Sequence, residues 1–151
     1  MLLKIARTHR LAKLPSRANP SDAGADVFYC PAKNVFTELQ PNESVILPTG
    51  LKIEVPHGYM LEVKNRSGMA AKNSLVVGAC VIDSGYSGEI FVNLHNIGNT
   101  PKTIEIYDKI AQLVLIPVVQ WRSFLVEEEL LYVDPLTISD RGYGALGSTG
   151  K

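Results

Sequence analysis

The stretch Gly50-Leu-Lys-Ile-Glu-Val55 decides the fold class, because apolar and charged residues alternate along it. Leu51, Ile53 and Val55 would face one side of an extended chain, and the two charged residues between them would face the other. This period of two is typical of a β-strand with one buried face. We therefore expect this stretch to form a strand that covers a core.

Similar short runs, rich in Val, Ile, Leu and Tyr, lie on both sides and are separated by Gly, Pro, Asn and Asp. This spacing indicates an all-β protein, folded as a single compact barrel or sandwich. The segment after Ser67 is predicted to form at most a turn or two of helix, with Ser67 as a possible N-cap. The predicted strands are residues 45–47, 50–55, 59–63, 89–94, 103–106 and 110–116.

The composition limits the classes of function. A chain of 151 residues with 46% hydrophobic content can bury a core without a disulfide or a structural metal. Its 15 Lys+Arg balance its 15 Asp+Glu, so no basic field is expected to hold nucleic acid. No apolar run approaches the length of a membrane span, and we expect an intracellular, soluble protein. Cys30 and Cys80 are interpreted as buried, reduced thiols without a redox role.

Two segments in predicted loops could carry chemistry. Asn65-Arg-Ser-Gly68 offers guanidinium, hydroxyl and N–H donors that suit a phosphate, although a helix cap followed by a surface arginine explains it more simply. The segment Gly78-Ala-Cys-Val-Ile-Asp-Ser-Gly-Tyr-Ser-Gly-Glu89 is predicted as a hairpin-like turn that presents Asp83 and Tyr86. Its carboxylate could activate a water and its ring could pack on a sugar, but an ordinary turn needs the same residues.

Two further segments lie closer to the C-terminus. Residues 141–150 are rich in glycine, serine and threonine, which fits either a phosphate cradle or a disordered tail. In Asp108-Lys-Ile-Ala-Gln-Leu113, Gln112 could be a satisfied buried amide or could face a ligand. We assign residues 1–137 to the β domain and residues 138–151 to a flexible arm.

Five segments in order resemble the motifs of the trimeric dUTP pyrophosphatases, the dUTPase family, and they span the whole chain. The resemblance implies a jelly-roll-like β barrel and a homotrimer with active sites shared at subunit interfaces. It also implies Mg²⁺-dependent hydrolysis of dUTP to dUMP and pyrophosphate, which limits uracil in DNA and supplies dUMP for thymidylate synthesis. The segments are Ala23-Gly-Ala-Asp26, Arg66-Ser-Gly68, the segment from Gly78 to Glu89, Asp108-Lys-Ile-Ala-Gln-Leu113 and residues 141–150.

The resemblance also implies roles for individual residues. Asp83 would deprotonate the water that attacks the α-phosphorus, and Tyr86 would pack under the deoxyribose and exclude a 2′-hydroxyl. Mg²⁺ would be held by the triphosphate and waters and by no side chain directly, with Asp26 as a possible indirect contact. Backbone groups of Cys80, Val81 and Ile82 would read uracil, and the remaining substrate contacts would be Arg66, Ser67, Gly68, Gln112, Arg141, Leu146, Gly147, Ser148 and Thr149.

The chain departs from the family pattern at three positions. Leu146 replaces an aromatic residue of the arm that would stack on uracil, Ala145 replaces a glycine, and Cys80 stands where glycine is common. Two other functions fit parts of the sequence: a dCTP deaminase with Glu89 as general base, and a non-catalytic nucleotide or protein binder. The turn with Tyr86, the glycine-rich arm and the presence of Asp83 favour the hydrolase.

Overall fold

The computed structural model describes residues 2–33 and 35–133. The regular secondary structure of the described residues is mostly β-strand, as predicted, with one α-helix and one 3₁₀ turn at Glu128–Leu130. The strands are β1 Ile5–Arg7, β2 Ala25–Phe28, β3 Thr37–Leu39, β4 Ser44–Pro48, β5 Leu51–Ile53, β6 Tyr59–Lys64, β7 Leu75–Val77, β8 Val81–Ile82, β9 Phe91–Asn96, β10 Lys102–Ile104 and β11 Lys109–Pro117. The helix α1 is Ser67–Asn73.

The strands form four antiparallel sheets with the orders β1-β5, β10-β3, β2-β11-β6-β8 and β4-β9-β7. The inner faces of these sheets meet in one large cluster of buried side chains, which includes Val27, Val63, Val92 and Leu113. Alternation follows the prediction in β5, where Leu51 and Ile53 are buried and Lys52 is exposed. Burial of alternate residues is therefore what fixes the direction in which each strand presents its side chains.

Three local predictions differ from the structure. Arg66 is the N-cap of α1, and Ser67 is the first helical residue, so the predicted cap at Ser67 is wrong. The turn after β8 is not a hairpin, because β8 pairs with β6 while β9 pairs with β4 and β7. Cys30 is buried as predicted, whereas Cys80 is only half-buried, and both are free thiols.

The chain divides into two compact units, residues 1–120 and residues 121–151. The predicted boundary at residue 137 and the arm that follows it lie outside the described residues. In the described part of the chain, no helix has the length and apolar character needed to cross a membrane.

Candidate functional site

Three neighbouring strands bring Asp26, Gln112 and Lys64 into one row of the largest sheet. Gln112 on β11 pairs with Asp26 on β2 and, on its other side, with Lys64 on β6. Residues paired in this way present their side chains to the same face of a sheet. The next row is centred on Leu113, which is buried, so the first row lies on the outer face. Residues distant in sequence thereby meet at one place.

A β-bulge at the start of β11 adjusts this row. The register of β11 against β2 shifts between Lys109 and Ala111, which leaves the buried Ile110 as the extra residue. Bulges locally increase strand twist and redirect side chains, and they are frequent next to functional sites. Here the bulge lies between two polar residues of the site, Lys109 and Gln112.

Asp26 bridges two cationic side chains. Its Oδ1 accepts a hydrogen bond from Nε of Arg66 at 2.7 Å, and its Oδ2 accepts one from Nζ of Lys109 at 2.8 Å. Burial raises the pKa of this carboxyl, but the hydrogen bonds from Lys109 and Arg66 outweigh it, so the pKa lies below its ordinary value. Asp26 is therefore a carboxylate at neutral pH.

Arg66 is oriented at two points. Besides the bond to Asp26, its NH1 group donates to the carbonyl oxygen of Lys109 at 3.3 Å. The guanidinium is planar, so these contacts fix the plane in which its other N–H groups lie. The Arg66 side chain remains 29% exposed, which leaves part of the guanidinium open to a ligand.

Gln112 is placed by a hydrogen bond and by a close approach. Its Nε2 donates to the carbonyl oxygen of Asn65 at 2.8 Å, so the amide is partly satisfied by backbone. Its Oε1 lies so close to Gly24 that a Cβ on Gly24 would collide with it. The side chain is half-buried and also lines a cleft, and its contact with a ligand stays a prediction.

These side chains line a cleft of about 360 Å³, which we call the Arg66 cleft. It offers guanidinium, hydroxyl and amide groups together, a donor set that suits phosphate oxygens. Its carboxylates belong to Asp22 and Asp26, and the described residues contain no group of three or more His, Cys, Asp or Glu able to hold a metal. The lining residues are Ala18, Asp22, Ala23, Gly24, Asp26, Arg66, Ser67, Gly68 and Gln112.

A second site forms around the turn that follows β8. The backbone N–H of Tyr86 donates to the carbonyl oxygen of Asp83 at 3.2 Å, and Gly85 takes a φ of 90° that favours glycine. The hydroxyl of Tyr86 donates to the carbonyl oxygen of Glu89 at 2.9 Å, which fixes one edge of the ring. A Cβ on Gly88 would collide with that ring. The turn thus presents an exposed carboxylate beside an anchored tyrosine.

Asp83 and Tyr86 line a smaller cleft of about 190 Å³, which we call the Asp83 cleft. Its walls are mostly apolar, and its carboxylates are those of Asp83 and Glu89. The lining residues are Val63, Ala79, Val81, Ile82, Asp83, Tyr86, Glu89, Ile90 and Phe91.

The strand β8 presents free backbone groups to this cleft. Its two residues pair with β6 as Leu61 with Ile82 and Glu62 with Val81, and the N–H of Val63 donates to the carbonyl oxygen of Cys80 at 2.7 Å. Hydrogen-bonded pairs alternate in an antiparallel ladder, so the N–H and C=O of Val81 point away from β6. Since β8 is the edge strand of the described sheet, Val81 offers one donor and one acceptor to a ligand.

Glu89 has a structural role. Its Oε1 accepts from the backbone N–H of Gly50 and its Oε2 from the hydroxyl of Thr8, both at 2.9 Å. Both oxygens are therefore occupied in joining β5 and the N-terminal segment to the turn. This arrangement does not support the role of general base that a deaminase would give Glu89.

The structure places the predicted residues in two groups. Asp26, Arg66, Ser67, Gly68 and Gln112 line the Arg66 cleft, while Val81, Ile82, Asp83 and Tyr86 line the Asp83 cleft, with Cys80 next to it in sequence. The contact between Lys109 and Asp26 was not predicted, because it depends on the bulge at Ile110, and a bulge has no signature in the local sequence. The predicted contacts Arg141, Leu146, Gly147, Ser148 and Thr149 lie outside the described residues.

Comparisons with known proteins agree on one family. The family model described as dUTPase matches residues 10–150. The chain is 39% identical over 150 residues to the deoxyuridine 5′-triphosphate nucleotidohydrolase of Alkaliphilus metalliredigens, covering 98% of this chain and 96% of that protein. It is 40% identical over 152 residues to the enzyme of the same name from Bordetella avium, covering 99% and 96%.

Solved structures give the same fold. The dUTPase of Staphylococcus bacteriophage 80alpha with dUpNHpp superposes with a TM-score of 0.85 at 26% identity, covering 99% of both chains. The dUTPase of phage phi11 of S. aureus, in a mutant whose structure concerns the coordination of a structural Mg(II) ion, has a TM-score of 0.76 at 27% identity. That comparison covers 85% of this chain and 98% of the phage chain.

Proposed function

This chain belongs to the dUTPase family and hydrolyses dUTP to dUMP and pyrophosphate, and from this premise we propose which residues bind and which react. The Arg66 cleft binds the triphosphate, and the Asp83 cleft binds the uracil, the sugar and the attacking water. The observation that carries this assignment is the contact of Asp26 with Arg66, which holds a guanidinium in place beside Ser67 and Gln112.

Phosphate binding rests on donors that are already in position. Asp26 and the carbonyl oxygen of Lys109 occupy Nε and part of NH1 of Arg66, and the remaining N–H groups can bond a phosphate oxygen. The hydroxyl of Ser67 and the amide of Gln112 add neutral donors in the same cleft. Because Arg66 and Gln112 are held by protein contacts before the nucleotide arrives, little of their conformational entropy is lost on binding.

Base recognition follows from the edge of β8. The N–H and C=O of Val81 offer a fixed donor and acceptor, and uracil carries complementary groups along its pyrimidine edge. Cytosine has the opposite pattern at its position 4, so it would leave a backbone group unpaired. Leaving a buried polar group unpaired costs about 1–3 kcal/mol, which supports discrimination between the two bases.

The reaction itself needs one carboxylate from this chain. Asp83 is exposed in a largely apolar cleft and can accept a proton from a bound water. The water oxygen forms a bond to the α-phosphorus, the bond from that phosphorus to the oxygen bridging the α- and β-phosphates breaks, and pyrophosphate leaves with both electrons of that bond. Tyr86, fixed through Glu89, packs under the deoxyribose and excludes a 2′-hydroxyl.

We propose that Mg²⁺ accompanies the triphosphate. Of the two carboxylates in the Arg66 cleft, Asp26 is bonded through both oxygens to cationic side chains, and Asp22 accepts a 2.8 Å bond from the N–H of Asn19. This donor set fits an ion held by phosphate oxygens and waters better than one held by side chains. When bound, Mg²⁺ would neutralise charge on the triphosphate.

The separation of the two clefts supports a shared site in a homotrimer. Ile82 pairs with Leu61 in the antiparallel ladder, so Asp83, the next residue, lies level with Met60. Arg66 follows Met60 by six residues, towards the other end of β6. At about 3.3 Å per residue, Asp83 and Arg66 are roughly 20 Å apart along β6, too far to act on one α-phosphorus. The exposed side chains of Trp121, Phe124 and Leu125 also favour association with other copies.

The C-terminal arm would complete the site. On the resemblance to the family, Arg141 clamps the terminal phosphate, Ser148 and Thr149 add donors, and Leu146 and Gly147 cover the base. Closure of such an arm excludes water other than the attacking one. We place this reaction in the intracellular nucleotide pool, where dUTP is formed.

One assay tests the assignment. The full chain is incubated with Mg²⁺ and dUTP, UTP, dTTP or dCTP, and release of pyrophosphate and ammonia is measured. We expect pyrophosphate from dUTP alone and no ammonia from dCTP. Asp83→Asn should reduce kcat by a factor of about 10² or more, since general base catalysis contributes about 10²–10⁴. Unchanged pyrophosphate release in this variant would refute the role of Asp83, and ammonia from dCTP would indicate a deaminase.

Analytical ultracentrifugation of the full chain tests the shared site. A trimer is the expected species, and mixing Asp83→Asn with Arg66→Ala subunits should restore part of the activity that each variant lacks alone. Recovery is expected because a mixed trimer contains sites with an intact residue from each chain. Absence of recovery in mixed trimers would contradict the shared site.

A further inference from the structure

The base-reading edge is short and needs support from outside its own sheet. β8 has only two residues, and its contact with the sheet is limited to β6. The backbone groups of Val81 must stay within a few tenths of an ångström of their positions to distinguish two bases by hydrogen bonds. The segment that leads into β8 from β7 is Gly78-Ala79-Cys80, which lies beside β9.

Asn93 holds this segment from β9. The N–H of Gly78 donates to the backbone carbonyl oxygen of Asn93 at 2.9 Å, and the N–H of Ala79 donates to its Oδ1 at 3.3 Å. The Nδ2 of Asn93 in turn points to the carbonyl oxygen of Val45 on β4, at 3.4 Å. One half-buried side chain therefore connects β4 to the entry of the base-reading edge.

His95 fixes the orientation of the Asn93 amide. Its Nε2 lies 2.8 Å from Oδ1 of Asn93. Because an amide oxygen can only accept, His95 carries a proton on Nε2 in this contact. The oxygen thus receives two donors, from His95 and from Ala79, while the nitrogen faces a carbonyl. Each atom of the amide meets a complementary group, so the amide has one favourable orientation.

Gly78 packs directly against this pair. A Cβ added to Gly78 would collide with Oδ1 of Asn93 and Nε2 of His95. The backbone can follow its path only because residue 78 has no side chain. Van der Waals contact with β9 therefore fixes the position of the segment 78–80, in addition to the hydrogen bonds to Asn93.

We propose that Asn93 is a positioning residue for base specificity, which holds the segment 78–80 so that the backbone of Val81 can distinguish uracil from cytosine. The proposal rests on the proposed reading of the base by Val81. It predicts that loss of the Asn93 amide reduces discrimination between uracil and cytosine and leaves the reaction at the α-phosphorus unaffected. The segment 78–80 precedes β8, whereas Asp83 follows it.

The test compares Asn93→Ala, Asn93→Asp and the control Asn99→Ala, which removes an exposed asparagine in the turn after β9. For Asn93→Ala we expect KM for dUTP to rise about fivefold to tenfold, with kcat within about twofold of the unmodified chain. The ratio of kcat/KM for dUTP to that for dCTP should fall by a similar factor. Asn93→Asp keeps an acceptor for Ala79 and His95 but places an oxygen against the carbonyl oxygen of Val45, so it should recover only part of that ratio.

Gly78→Ala provides a second route to the same effect, because it displaces the segment while keeping Asn93. It should lower the same ratio, and circular dichroism and thermal unfolding will establish that each variant is folded at the assay temperature. The proposal would be overturned if Asn93→Ala had the same ratio of kcat/KM for dUTP to that for dCTP as Asn99→Ala. It would also be overturned if Asn93→Ala reduced kcat/KM for dUTP and for dCTP by the same factor. Failure of the proposed function is distinct, since the unmodified chain would then itself fail to favour dUTP over dCTP.

Discussion

Oδ1 of Asp26 lies 2.7 Å from Nε of Arg66, and this contact joins strand β2 to the N-cap of α1, forty residues along the chain. The carboxylate is only 14% exposed and also bonds Lys109. A charge that is nearly buried and paired on both oxygens acts as a rigid support, so Arg66 is oriented before any ligand binds. The sequence left two roles open for Asp26, an indirect contact to Mg²⁺ and support of the phosphate site. Its bonds to Arg66 and Lys109 are those expected of a support.

Asp26→Asn tests this role. The variant keeps the size of the side chain but loses the negative charge that orders Arg66 and Lys109. We expect KM for dUTP to rise about tenfold, because the guanidinium must be ordered during binding, and the free energy of unfolding to fall by about 1–3 kcal/mol at neutral pH. Steady-state kinetics and urea unfolding measure the two effects. An unchanged KM would contradict the support of Arg66 by Asp26.

The stabilising effect of Asp26 should depend on pH in one direction. The pKa of its carboxyl in the folded protein lies below the ordinary value of 3.8, because the bonds from Lys109 and Arg66 outweigh the effect of burial. A lowered pKa stabilises the folded state at pH values above the ordinary pKa, and this stabilisation is lost as the pH falls through the folded value. The difference in unfolding free energy between the unmodified chain and Asp26→Asn should therefore be constant above about pH 5 and shrink towards about pH 3. A difference that stays constant over this range would contradict the lowered pKa.

The sequence predicted strands well where alternation was long. Six predicted strands correspond to β4, β5, β6, β9, β10 and β11, with ends that differ by at most two residues. The missed strands β1, β2, β3, β7 and β8 have two to four residues, which give too little alternation to recognise. The equally short β5 and β10 were found because the alternation continues beyond them, to Val55 and Ile106. β2 is an example of a missed strand, since Ala25-Asp-Val-Phe28 follows a stretch of Ala, Gly, Asp and Ser that indicates a loop.

The predicted site residues were found by resemblance to motifs, but their arrangement needed the structure. The row of Asp26, Gln112 and Lys64 depends on the register of three strands, which no local pattern specifies. The bulge at Ile110 and the contact of Lys109 with Asp26 depend on that register as well. The separation of Asp83 from Arg66 likewise follows only from the pairing of β8 with β6.

Gly24→Ala should act through Gln112. A Cβ at residue 24 would collide with Oε1 of Gln112 and force the amide out of the Arg66 cleft. We expect kcat/KM for dUTP to fall about tenfold, the size of one lost hydrogen bond to a charged group. Kinetics of Gly24→Ala, Gln112→Ala and the double variant measure the coupling. If Gly24 acts by placing Gln112, kcat/KM in the double variant falls little further than in either single variant. Additive reductions in the two single variants would contradict this explanation.

Leu146→Phe tests the departure in the arm. The resemblance to the family gives this position a ring that stacks on uracil, and Leu146 offers apolar cover without stacking. Restoring a ring should lower KM for dUTP by about threefold to tenfold. This is less than the roughly 1–3 kcal/mol that base stacking contributes relative to alanine, because leucine is itself apolar. Leu146→Met, which adds no ring, is the matched control and should leave KM near its original value. If KM for dUTP is unchanged or higher in Leu146→Phe, the interpretation that this position lacks stacking on uracil is wrong.

Tyr86 should control rejection of UTP through the position of its ring. Tyr86 lines both the Asp83 cleft and a larger cleft of about 560 Å³, so loss of its ring in Tyr86→Ala should widen the space beside the sugar and leave room for a 2′-hydroxyl. The ratio of kcat/KM for dUTP to that for UTP should then fall by at least about tenfold. Tyr86→Phe keeps the ring and loses only the 2.9 Å bond to the carbonyl oxygen of Glu89, so its ratio should lie between those of Tyr86→Ala and the unmodified chain. If Tyr86→Ala rejects UTP as well as the unmodified chain does, another group excludes the 2′-hydroxyl, and the anchored ring serves only to shape the turn.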